Sequence, residues 1–108
     1  MSYELKVSDS MHIPFRGHLL RLKIAEGVPR MKELKVGTRL RVSGPDGRSG
    51  VVEILGFPTM AGRQTQERVE RTRELDIVIP SEQAVIDGAR IEIGWRVGPA
   101  DDERTKRG

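Results

Sequence analysis

Apolar residues in this chain recur at every second position, run after run, and that period points to a sheet. Tyr3, Leu5 and Val7 alternate with Glu4, Lys6 and Ser8, and Leu20, Leu22 and Ile24 alternate with Arg21 and Lys23. Leu40 and Val42 alternate with Arg39 and Arg41. Leu75, Ile77 and Ile79 follow the same rule, as do Ile91, Ile93, Trp95 and Val97. Successive strand side chains point to opposite faces, so period two means one buried face and one solvated face. Val51–Phe57 is a more continuous apolar run, as in a strand covered on both sides. Ile and Val total 18 against 8 Leu, a bias that suits pleated sheets. Six strands are predicted, and none of these runs reads as a helix.

Gly and Pro punctuate the runs. Pro14-Phe15-Arg16-Gly17 separates the first two strands, Gly44–Gly50 carries the clearest turn, and Asp87-Gly88 forms a tight turn before the last strand. Residues 58–73 break the rhythm. Gln66–Arg73 is highly charged, with Val69 its one apolar residue. Either a short solvated helical turn or a mobile functional loop fits that pattern. Residues 99–108 are polar beyond Ala100 and read as a disordered tail, leaving residues 1–98 as a single domain. An open sheet would expose two pairing edges. The economical all-β architecture is therefore a six-stranded, mostly antiparallel barrel, closed or nearly closed. Its interior is predicted to hold Leu5, Val7, Leu20, Leu22, Ile24, Leu40, Val42, Val52, Ile54, Leu75, Ile77, Ile79, Ile91, Ile93 and Trp95, with Trp95 filling one end.

Catalytic constellations are scarce. The chain has no cysteine, hence no disulfide, thiolate nucleophile or Cys-based zinc site. Neither a P-loop nor a Gly-x-Ser-x-Gly elbow occurs. His12 and His18 lack the further ligands that zinc needs and read as surface or rim residues. Glu53, Asp76 and Glu92 read as outward strand residues, not as a paired acid and base. No enzyme activity, cofactor or metal is expected. No apolar run approaches the roughly 18 residues of a membrane span, and the first residues lack the pattern of a secretory leader. A cytoplasmic protein is expected.

Charge is distributed unevenly. The first sixty residues hold 10 Lys+Arg against 6 Asp+Glu, and the rest 9 against 10. Arg21 and Lys23 share one strand face, and Arg39 and Arg41 share another. If those strands are neighbours, four cations line one outer surface, with Arg16 and His18 near its end. Such clusters recognise phosphate backbones.

The ordered run from Tyr3 to Gly27, through Ile13-Pro14-Phe15-Arg16-Gly17, resembles the start of the second domain of translational GTPases such as elongation factor Tu. The likeness continues through Leu34–Gly37, Thr38–Gly44, Val51–Phe57, Leu75–Ile79 and Val85–Gly88, up to Val97. The order of glycine and apolar positions carries it. Gly27 and Gly37 enclose a small insertion, and Thr72-Arg73-Glu74 stands where the family has Ala-Gly. The GTPase domain has no counterpart in this sequence. The resemblance implies a translation-protein barrel that hydrolyses no GTP and contacts ribosomal RNA near its Arg-Gly turn. In elongation factor Tu the barrel also helps hold tRNA, but no residue here matches an aminoacyl pocket. Arg16 and Gly17 are the residues that match that motif, and the wider RNA-binding set is His18, Arg21, Lys23, Arg39 and Arg41. The alternative is a protein–protein module that recognises a separate partner through residues 58–73.

Overall fold

The computed structural model describes residues 3–58 and 65–100. Among them, β1 (Glu4–Ile13), β2 (Gly17–Glu26), β3 (Arg39–Ser43), β4 (Ser49–Glu53), β5 (Glu74–Ile79) and β8 (Arg96–Pro99) form one antiparallel sheet in the order β4-β3-β8-β1-β2-β5. A separate hairpin joins β6 (Val85–Ile86) to β7 (Ala89–Arg90). The fold is mostly β, as the alternation predicts. After β4 the chain leaves its strand and returns to β5. There Leu55 N donates to Val78 O at 2.7 Å, and Val78 N donates to Gly56 O at 2.9 Å.

The alternating apolar residues converge on one face. Leu5, Leu20, Leu22, Leu40, Ile54 and Ile77 are essentially inaccessible to solvent. Full burial of such a side chain stabilises by about 2 kcal/mol. Trp95 joins this core, and a Cβ on Gly44 would stand 3.0 Å from its ring. The glycine there makes room for the indole.

Several expectations change. Ile93 is 69% exposed, not interior. Residues 91–95 form no strand: Gly94 adopts φ +97 and Trp95 N bonds Glu92 O, so the chain turns and the alternation stops describing faces. The continuous run at residues 51–57 is strand only to Glu53. Asp87 and Gly88, at φ +51 and +80, close the β6–β7 hairpin and do not lead directly into the last strand. Pro99 lies within β8 opposite Leu40, and Ala100 is buried, so the sheet reaches further than residue 98.

Of the exceptional segment 58–73, residues 59–64 lie outside the described residues. The remainder forms α1 (Gln66–Thr72), the helical turn of the two sequence readings. Thr65 caps it by accepting from Arg68 N, and Val69 is buried in the core. Gln66 ties the helix to the chain before β3: its Oε1 accepts from Met31 N at 2.8 Å and its Nε2 donates to Pro29 O at 3.1 Å. Among the described residues, no helix is long and apolar enough to cross a membrane.

Candidate nucleic-acid interface

Strand order decides which cations meet. β2 and β3 are not neighbours, because β8 and β1 stand between them. Arg21 and Lys23 therefore do not adjoin Arg39 and Arg41. The sequence holds no direct record of strand order, and the last strand is inserted between the first and the third. That insertion brings in two cations the sequence reading missed. Arg96 on β8 pairs with Lys6 on β1, and Lys6 pairs with Lys23 on β2. All three are exposed, and Arg96 Nη1 donates to Glu4 Oε2 at 2.5 Å in a single hydrogen bond, against the two that hold Arg21. Adjacent strands lie ~4.8 Å apart, so the three side chains leave the sheet within roughly 10 Å of one another, about one Debye length at 0.1 M salt. Like charges directly opposite destabilise a sheet.

The anticipated residues divide accordingly. Lys23 sits in this row, beside Glu74 on β5. Arg21 is one step further along and already engaged: its Nε and Nη2 donate to the two Asp76 carboxylate oxygens at 3.0 and 3.2 Å. Hydrogen bonding and charge from Asp76 hold the guanidinium still more firmly protonated. Arg41 pairs with Gly98 of β8, on the flank of the row, while Arg39 faces Glu53 across β3–β4. Arg16 is exposed at the tip of the β1–β2 hairpin, away from the row.

Gly17 and His18 have structural roles. Gly17 adopts φ +132, and a Cβ there would lie 2.5 Å from Ile79 O. Glycine is required where β2 passes close to β5. His18 was expected at the surface or rim, yet it is 4% exposed. It bonds inward to Ser10 Oγ at 2.6 Å, while that hydroxyl donates to Ile91 O at 2.9 Å. The hydroxyl's single proton is thus committed, so His18 Nε2–H is the donor. Burial first, then the nearby Arg90 and His12 charges, lowers the His18 pKa. A buried neutral imidazole pointing inward is unsuited to contact phosphate.

A groove of about 220 Å³ opens beside the cationic row, lined by Tyr3, Glu4, Arg41, Ser43, Arg96 and Gly98 among others. A larger one of about 490 Å³, mostly apolar, runs between the hairpin and α1, past Met11, Ile13, Leu19 and Val69. Among the described residues, no three His, Asp or Glu side chains gather where a metal ion would be held. No family model, curated protein or solved structure matches this chain.

Proposed function

We propose that this domain is a non-catalytic binding module that takes RNA, in a ribosome or a tRNA, on the outer face of its sheet. The observation that carries this reading is the in-register row Arg96–Lys6–Lys23. Like charges directly opposite on adjoining strands are unfavourable for folding. Glu4 on Arg96 and Glu74 opposite Lys23 offset that cost only in part, since Lys6 stands between two cations. A polyanion turns the same arrangement into binding energy through phosphate contacts and counterion release. The order of glycine and apolar positions, which resembles that of the second domain of translational GTPases, supports the choice of RNA. The same reading takes the sheet as a barrel closed where Leu55 and Gly56 meet Val78.

A salt titration of binding to ribosomal RNA and to tRNA tests the proposal. Affinity is expected to fall steeply as salt rises, and Lys6→Gln, Lys23→Gln and Arg96→Gln each to weaken binding and flatten the salt slope by about one. Absence of binding at low salt, or indifference to all three changes, overturns it.

A further inference from the structure

We propose that the groove over Gly98 is a phosphate subsite, in which the Glu4 carboxylate occupies Arg96 until a phosphate group displaces it; the inference rests on the RNA-binding reading above. Three observations converge on it. Gly98 faces Arg41 on one side and, one residue beyond the Leu5–Val97 pair, lies toward Glu4 on the other. Its φ is not left-handed, and a Cβ would meet nothing closer than Tyr3 O at 3.4 Å. Neither backbone nor packing requires glycine here. What the missing side chain does is keep the groove open.

Two guanidinium groups and a hydroxyl are among the groups that line that space, and a third cation stands just outside it. Arg41 and Arg96 line it, Lys6 adjoins Arg96, and Ser43 stands opposite Arg96 across β3–β8. The third observation is that a carboxylate is already there. Glu4 Oε2 accepts from Arg96 Nη1 at 2.5 Å, with the two side chains 34% and 61% exposed. An exposed pair of this kind contributes little to folding, so exchanging it costs little. A phosphate offers more acceptor oxygens and matches the guanidinium fork, so it competes well for Arg96. In this arrangement Glu4 orients the arginine and is released to solvent when the phosphate arrives.

Amide and arginine Nε shifts of the full chain, titrated with inorganic phosphate at low ionic strength, test the subsite. Saturable movement of the Gly98 amide and the Arg96 Nε resonance is expected. Glu4→Gln should tighten phosphate about threefold, and Arg96→Gln should abolish the response. Gly98→Ala should weaken it with unchanged thermal stability. Glu53→Gln, an equal charge change on β4, serves as control. Equal tightening by Glu4→Gln and Glu53→Gln, or a silent Gly98 amide, overturns the proposal. Oligoribonucleotides with and without a 5′-phosphate identify the source. Tightening by Glu4→Gln on both assigns the subsite to backbone phosphodiesters; tightening only on the phosphorylated one assigns it to a terminal phosphate. If RNA binds through Lys6 and Lys23 while Glu4→Gln has no effect, the subsite fails and the RNA reading stands. If inorganic phosphate binds saturably and RNA does not, the RNA reading fails and the subsite stands.

Discussion

Lys6 and Lys23 are direct cross-strand partners in the β1–β2 ladder. Opposed like charges cost a few tenths of a kcal/mol or more, depending on screening. Lys6→Glu is therefore expected to raise the unfolding free energy by roughly 0.5 kcal/mol while weakening RNA binding. Paired measurements of urea midpoint and RNA affinity check this. A stability gain with unchanged affinity would show that the row serves solubility alone.

Phe15 is fully exposed and holds φ +66 at the tip of the β1–β2 hairpin, with Pro14 before it and Arg16 N bonded to Ile13 O at 3.1 Å. The third position of such a turn favours glycine. A bulky residue there stores backbone strain, and this one buries no apolar surface in return. Phe15→Gly is expected to stabilise by roughly 0.5–1 kcal/mol, the relieved strain outweighing the entropy glycine adds to the unfolded chain. Thermal unfolding reads the outcome, and a lowered midpoint would mean that the ring supports the hairpin.

His18 sets a pH dependence. Its folded pKa lies below the unfolded value of about 6.5, so the unfolded chain binds more protons as pH drops through that region. Stability is then full above the unfolded pKa and declines as pH falls from about 6.5 toward the folded pKa. His18→Gln keeps a donor for Ser10 and removes the titration. Urea unfolding at several pH values should give a shallower slope for this variant than for the wild type. Identical slopes would assign the acid sensitivity to other groups.

Gln66 joins α1 to the chain ahead of β3 through Met31 N and Pro29 O. Its removal strands a partly buried backbone donor, which costs about 1–2 kcal/mol. Gln66→Ala is expected to lower stability by that amount and to speed amide exchange in both α1 and residues 29–34. Faster exchange in the helix alone would mean that the two segments are not coupled.

The alternation at Leu5–Val7, Leu20–Ile24 and Leu75–Ile79 translated directly into buried residues, because a strand's period is local and survives any arrangement of its neighbours. It failed at Ile93, where a left-handed glycine turns the chain and the same pattern carries no facial meaning. The helical option for residues 66–72 was legible from their charge, but not the burial of Val69, which depends on what the helix packs against.

The candidate site was only partly legible. Lys23 and Arg41 were visible as outward strand cations. Lys6 and Arg96 stand 90 positions apart in the chain, and nothing local marks them as neighbours. His18 and Arg21 read as available donors because the sequence does not show Ser10 or Asp76 beside them.

By itself, then, the sequence determined that this chain is a strand-rich domain with one apolar face per strand, since hydrophobic period and turn chemistry act within a few residues. Tertiary structure alone decided strand order, and with it the set of charges that share a surface. That order arises from long-range pairing, in which β8 enters between β1 and β3 and carries Arg96 to Lys6. Coulombic and packing energies depend on distance in space, and distance along the chain does not encode it.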